Sequence, residues 1–319
     1  MNSPNISVVI ALWDEVESLR DLHHQLDDSL KKLGRSYELL FIDDGSRDGS
    51  LELLKELASG DPNIRIVSLR RNHGKSAALA VGFHEAAGEY VITMDADLQD
   101  NPAEIEALLN KLDEGFDLVS GWKKVRHDPL EKKIPSKFFN MVTSKVSGIK
   151  LHDFNCGLKA YRRNVVKDLF VYGELHRFLP VLAHKMGYRC TEIPVVHRAR
   201  QFGHSKFGMR RYLNGFLDLL TVVFLSGFNR APLHFFGTMG LLSGFVGFGI
   251  NLYLSILWIM GNPIGNRPLL FLGILLMVIG VQFFSFGLIG EMLTHANERQ
   301  RTYPIKYDSK NPFASEISA

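Results

Sequence analysis

Three carboxylates, Asp95, Asp97 and Asp100, follow directly on an apolar run of Tyr90, Val91, Ile92 and Met94, with Gln99 set among them. Oxygen-only side chains at this spacing suit a hard divalent cation, Mg²⁺ or Mn²⁺, which is usually shared with substrate phosphates. For a lone D-x-D an acidic turn after a strand is the commoner explanation. The rest of the chain decides between the two.

Further candidates lie upstream. Asp43 and Asp44 close a second apolar run, where carboxylates accept hydrogen bonds from a base N–H or a ribose hydroxyl; an Asx turn explains the same pair. Arg70-Arg71-Asn72-His73-Gly74-Lys75 is a basic turn before a helix, suited to a diphosphate near a helix N-terminus, or simply a solvated loop. Nucleotide motifs of other kinds are absent. No G-x-G-x-x-G follows the first strand, and the Gly74-Lys75-Ser76 end of a P-loop fails because the earlier glycine would fall at Leu69.

The elements that must position these groups read as alternating strands and helices. Apolar runs predict strands over residues 6–12, 37–42, 64–69, 90–94 and 117–121. Helical spacing predicts helices over 14–33, 51–57, 75–87 and 102–112. This alternation implies βαβ units, hence an α/β domain with a mostly parallel sheet covered by helices on both faces. Ligands of such sheets sit outside the carboxyl ends of the strands, where the acidic residues fall.

Composition divides the 319 residues into two parts. The mean hydropathy of +0.00 averages a mixed, charged segment up to about Lys206 with a nearly uncharged one from Leu233 to Gly290. A net charge of +3 gives no reason to expect a nucleic-acid partner. Cys156 and Cys190 provide no disulfide framework, so a reducing compartment is expected for the soluble part. The N-terminus has no basic region before its apolar run, so no cleaved signal peptide is expected.

With Asp43-Asp44-Gly45-Ser46, Asn72–Lys75 and Asp95-Ala96-Asp97-Leu98-Gln99 together, the chain resembles glycosyltransferase family 2. It is most similar to the branch of dolichol-phosphate mannose synthases and polyprenyl-phosphate glycosyltransferases. The family's opening P-x-Y-N-E reads Ala11-Leu12-Trp13-Asp14-Glu15 here, with only the glutamate kept. Ser120-Gly121-Trp122-Lys123 stands for S-G-x-R, and Asp153-Phe154-Asn155-Cys156-Gly157-Leu158-Lys159 for the acceptor-side D-x-T-S-G-F-R. Arg198 to Lys206 resembles the R-x-x-G-x-S-K loop, and the likeness runs over about residues 6–210.

The resemblance implies a nucleotide-diphospho-sugar transferase sheet of the GT-A type. It implies donor contacts at Ala11, Trp13, Glu15, Ile42, Asp44, Asp95, Ala96, Lys123, Arg200 and Lys206, and a metal on Asp95, Asp97 and Gln99. Asp153 is the candidate catalytic residue. Loss of a nucleoside diphosphate develops negative charge, which a bound cation and basic side chains would neutralise. Arg200 and Lys206 admit a second explanation as a patch touching anionic lipid.

The C-terminal part completes the expectation. Residues 208–231 read as an amphipathic helix lying in a membrane interface, or as a core helix joining two domains. Residues 235–260 and 269–290 each exceed the ~20 uncharged apolar residues that a membrane span requires. Basic residues flank the pair on both outer sides, so both flanks are expected in the cytoplasm. Glycines 237, 240, 244, 247 and 249 predict close packing between the two spans, or between protomers of a homo-oligomer. The expected organisation is a cytosolic transferase domain over 1–207, the interfacial helix, two spans within 232–293 and a cytosolic tail over 294–319. The expected activity is inverting, metal-dependent transfer of one sugar to a polyprenyl phosphate at the cytoplasmic membrane face. One alternative, a processive polysaccharide synthase, would carry Q-x-x-R-W and more spans, neither of which is present. The other is a non-catalytic scaffold or flippase partner on a degenerate transferase domain, against which the complete D-A-D-L-Q run argues and for which the altered Ala11–Glu15 opening argues.

Overall fold

A computed structural model describes residues 4–124, 130–198, 232–264, 267–298, 302–304 and 316–318. It divides into two compact units, Met1–Val223 and Phe224–Ala319.

The first unit is built on a seven-stranded sheet. Its strands are β1 (Ile6–Leu12), β2 (Tyr37–Asp43), β3 (Ile64–Ser68), β4 (Tyr90–Asp95), β5 (Leu118–Trp122), β6 (Lys159–Arg162) and β7 (Cys190–Pro194), in the order β3-β2-β1-β4-β6-β5-β7. All pairings are parallel except those of β6, which runs antiparallel between β4 and β5. Helices α1 (Leu19–Lys32), α2 (Ser50–Gly60), α3 (Lys75–Glu85), α4 (Ile105–Asp113), α5 (Leu130–Ser147), α6 (Arg163–Asp168) and α7 (Leu179–Lys185) connect them.

Period-two alternation along the strands makes two cores. Ile6, Val8, Ile10 and Leu12 pack with Leu19, Leu22, Leu26 and Leu30 of α1 and with Leu108 and Leu112 of α4. Val9, Leu40, Ile42 and Val91 face the other way, against Ala78, Leu79 and Phe83 of α3. Both faces are dry, as a parallel sheet requires. The chain leaves β1 for β2 on one side, while β4 pairs with its other side, so the order reverses between β1 and β4. In this crevice Ala11 lies opposite Asp95 and Ile42.

Two expectations shift. The first helix starts at Leu19, not at residue 14, because Asp14 takes a left-handed φ of 52° and the amides of Asp14, Glu15 and Val16 are bound by Ser46, Ser50 and Asp48 of the next loop. The fourth helix region begins as a 3-10 turn, Pro102–Glu104, before α4.

The second unit holds α8 (Pro232–Ile259) and α9 (Pro268–Glu298), both long and apolar enough to cross a membrane. They pack backbone to backbone. A Cβ on Gly240 would lie 2.6 Å from the Gly280 carbonyl, and one on Gly247 would lie 2.6 Å from that of Gly273. Glycine is therefore needed at these crossings. Gly237 also faces α9, while Gly249 faces open space. Ser243 donates to the Leu276 carbonyl at 2.9 Å, and Glu291 accepts the Leu233 amide at 3.3 Å near the start of α8. Thr302–Pro304 and Glu316–Ser318 form a short antiparallel pair.

Candidate active site

The crevice at the carboxyl ends of β1, β2 and β4 gathers most of the described candidates. On the β1–β2 side, the turn after each strand is tied to its neighbours. Asp14 stands where the family pattern has asparagine; both residue types tolerate a left-handed backbone, and its Oδ1 accepts the Arg47 amide at 2.8 Å. Asp43 forms an Asx turn, accepting the Ser46 amide at 2.9 Å and the Ser68 hydroxyl at 2.7 Å. Asp44, also buried, accepts the amides of His73 and Gly74 at 2.8 Å each. Gly45, at φ 71°, has the Arg71 carbonyl carbon 2.6 Å from where a Cβ would stand. The basic turn is thereby pressed onto the end of β2, and the start of α3 is fixed.

Lys75, the first residue of α3, places its ammonium on Oδ1 of Asp95 at the end of β4. Burial alone would push the Asp95 carboxyl up, but Lys75, with Lys123 and Lys159 farther off, holds it down at about 2. Gly157 lies close against the same carboxylate. A Cβ there would stand 2.5 Å from Oδ2, and the Gly157 carbonyl accepts the Thr93 hydroxyl at 2.9 Å.

Beyond β4 the turn bends through Leu98, a non-glycine at φ 60° whose side chain is buried. Asp97 accepts the Gln99 amide at 3.2 Å. Asp100 is 2 % exposed, and among the described residues neither carboxylate oxygen has a hydrogen-bond partner; Oδ1 lies 3.2 Å from the Lys123 ammonium. Burial would discharge Lys123, but Asp100, Cys156 and Asp95 outweigh it and raise its pKa. The Cys156 thiol is pushed up to about 12 by burial and Asp100, which excludes it as a thiolate nucleophile at neutral pH.

Asp153 is 1 % exposed and its Oδ1 accepts the Asn155 amide at 3.1 Å. Lys159, on β6, is buried and donates to the Cys156 carbonyl; burial lowers its pKa. Trp13 is 40 % exposed beside the crevice, and Glu15 is half-buried. Ile42 and Ala96 have buried side chains, so only their backbones are available to a ligand. Arg200, Lys206 and the 208–231 helix lie outside the described residues.

Sequence reasoning missed His176. Its Nδ1 lies 2.9 Å from the Ser76 hydroxyl, which also accepts the His176 amide at 3.2 Å, so the hydroxyl proton points to Nδ1. Burial and the adjacent Lys75 hold this imidazole neutral, well below its ordinary pKa. His176 shares with Lys75, Thr93, Asp95 and Lys159, and with the apolar Leu79 and Leu179, the lining of a small cavity. The signal within reach was a charged residue, Lys159, in the otherwise apolar run L-K-A-Y: a lysine there is buried and needs partners.

Among the described residues no three His, Cys, Asp or Glu side chains converge as a closed metal cage. The donor set at the end of β4, two carboxylates with the Gln99 amide oxygen, fits a cation that takes one or two carboxylates and completes its shell with phosphates. Any side chain at position 157 would displace the Asp95 carboxylate, so glycine there keeps Asp95 at the strand end.

Residues 7–170 match the profile of Glycosyl transferase family 2. The chain is 36 % identical over 310 residues to the dodecaprenyl-phosphate galacturonate synthase of Rhizobium johnstonii, covering 95 % of this chain and 92 % of that one. It is 35 % identical over 320 residues to the undecaprenyl-phosphate 4-deoxy-4-formamido-L-arabinose transferase of Salmonella typhimurium, covering 98 % and 96 %. Among solved structures, its fold is similar to a mannosyltransferase from Pyrobaculum calidifontis in complex with GDP-Man and Mn²⁺ (TM-score 0.51, 20 % identity, 70 % of this chain and 64 % of that one). It is also similar to glucosyl-3-phosphoglycerate synthase from Mycobacterium tuberculosis with Mn²⁺, UDP and phosphoglyceric acid (TM-score 0.53, 19 % identity, 68 % and 78 %). A family profile over half the chain, relatives alike over nearly its whole length and a matching crevice agree: the chain belongs to glycosyl transferase family 2.

Proposed function

We propose that this protein transfers a single sugar from a nucleotide-diphosphate donor to a polyprenyl phosphate, with inversion, at the cytoplasmic face of a membrane. One observation carries the reading: an acidic strand end at the β1–β4 crevice belongs to a chain that also holds two apolar helices of membrane-spanning length. A soluble donor and a lipid-borne acceptor need both parts. The two curated relatives, named for transfer to dodecaprenyl and undecaprenyl phosphate, support it.

In this reading Asp95, Asp97 and Gln99 hold Mg²⁺ or Mn²⁺, which supplies Lewis-acid neutralisation of the departing diphosphate. Trp13 stacks on the base, and Glu15, Asp44 and the backbones of Ala11, Ile42 and Ala96 line the nucleoside end. Lys123, Arg200 and Lys206 face phosphate. The attacking group is a phosphate, whose second pKa near ~6 leaves it largely dianionic at pH 7, so little proton remains to remove. Asp153 then acts by position: its carboxylate caps the loop at Asn155 and lies near Lys123 and Lys159. Both flanks of the helical pair are cytoplasmic, and the bilayer is the second partner.

The test is a screen of nucleotide sugars against a short-chain polyprenyl phosphate, with full-length protein in detergent and Mg²⁺ or Mn²⁺. A glycosylated lipid phosphate of inverted anomeric configuration is expected, with turnover lost in chelator. Donor hydrolysis without lipid product, or turnover that persists in chelator, overturns the reading.

A further inference from the structure

The ion pair between Lys75 and Asp95 sets a condition on how the site fills. Gly157 lies close against the Asp95 carboxylate, with no room between them for even a methyl group, so the carboxylate is crowded where it meets the ammonium. Lys75 is held at its root. It is the first residue of α3, and the amides just before it, of His73 and Gly74, are both held by Asp44. Only the lysine's own side chain has freedom, and it is part-exposed. Lys159 lines the same cavity, so an ammonium displaced from Asp95 meets another cation nearby.

Resting on the reading of Asp95 as a metal ligand, we propose that Lys75 is a tethered competitor of the divalent cation for Asp95, and that this competition makes metal and donor bind together. A cation arriving alone must take the carboxylate from Lys75 and leave its ammonium unpaired among like charges. A cation arriving with a nucleoside diphosphate brings phosphate oxygens that accept the released ammonium. Each ligand then raises the affinity for the other by the same factor, as linkage requires. Asp44, holding the root of Lys75, ties the nucleoside side of the crevice to the metal side.

The experiment measures Mn²⁺ binding to the full chain in detergent by electron paramagnetic resonance of the free ion. It compares wild type, Lys75→Gln, Lys75→Arg and Asp95→Asn, alone and with UDP or GDP, after correction for chelation by the nucleotide. The first comparison needs no nucleotide: Lys75→Gln is expected to bind Mn²⁺ about tenfold more tightly than wild type. With nucleotide, wild-type affinity for Mn²⁺ is expected to rise about tenfold or more, within the usual range of coupling between sites. Lys75→Gln should lose most of that rise and Lys75→Arg should keep it. Unchanged or weaker Mn²⁺ binding by Lys75→Gln, while Asp95→Asn abolishes binding, overturns the competition and leaves the metal reading standing. Intact Mn²⁺ binding in Asp95→Asn overturns both.

Discussion

On the β1–β2 side of the crevice, acidic side chains are spent on neutral donors. Asp14, Asp43, Asp44 and Asp48 accept amides or hydroxyls at 2.6–3.0 Å and knit three loops into one wall. On the β4–β6 side, two acids are balanced by ammonium groups instead. Asp95 meets Lys75, and Asp100 meets Lys123 with, among the described residues, no hydrogen bond to either of its oxygens. The first wall is held by hydrogen bonds to backbone amides and hydroxyls. The second is held by ion pairs that an incoming cation or phosphate can rearrange. Recognition of a nucleoside suits the first, and neutralisation of a leaving diphosphate suits the second.

The sharpest way to break this contrast is on the ionic wall. Asp97→Asn should lower sugar transfer about 10²–10³-fold, as loss of one preorganised electrostatic group does, with the circular dichroism spectrum unchanged. A loss of only a few-fold would mean that the acidic turn is structural. Next in size is Asp100→Asn, which should lower stability by about 3 kcal/mol by stranding the buried Lys123. Replacing both, as Asp100→Leu with Lys123→Met, should recover most of that melting temperature, because a buried pair exchanged for apolar groups is close to neutral. A double variant no more stable than the single one would show that Asp100 acts through something other than its pair.

On the neutral wall the expected effects on stability are smaller. Asp44→Asn retains one acceptor and turns its amide N–H toward a backbone N–H, at a cost of about 1–3 kcal/mol. Asp43→Asn keeps the Ser46 bond through its oxygen and donates to the Ser68 hydroxyl, so a change below about 1 kcal/mol is expected. Chemical denaturation of the two variants side by side measures the difference. Equal losses would mean that the two aspartates are held alike.

The neutral wall was the easier to read from sequence. Strands β1 to β5 are predominantly apolar runs, and the turn chemistry of D-D-G-S and the acids of D-A-D-L-Q follow at the ends of β2 and β4. β6 escaped notice because K-A-Y-R is four residues long and carries charges at both ends, one of them buried against the pattern. The ionic pairs were harder for a geometric reason. Lys75 and Asp95, like Ser76 and His176, meet only after a crossover, and nothing local in either segment marks the partner. The glycines of α8 were legible as a packing face, but which of them meet α9 depends on the helix rotation.

The antiparallel strand β6 has a consequence for how the protein is made. Strands β1 to β4 pair with one another and emerge from the ribosome in sequence, so this half of the sheet can assemble early. β6 must then insert between β4 and β5, a long-range pairing of the kind that folds slowly. Gly157, which closes the space beside Asp95, arrives only with that strand. A nascent chain therefore carries its acidic strand end well before Gly157 and β6 arrive to complete its surroundings.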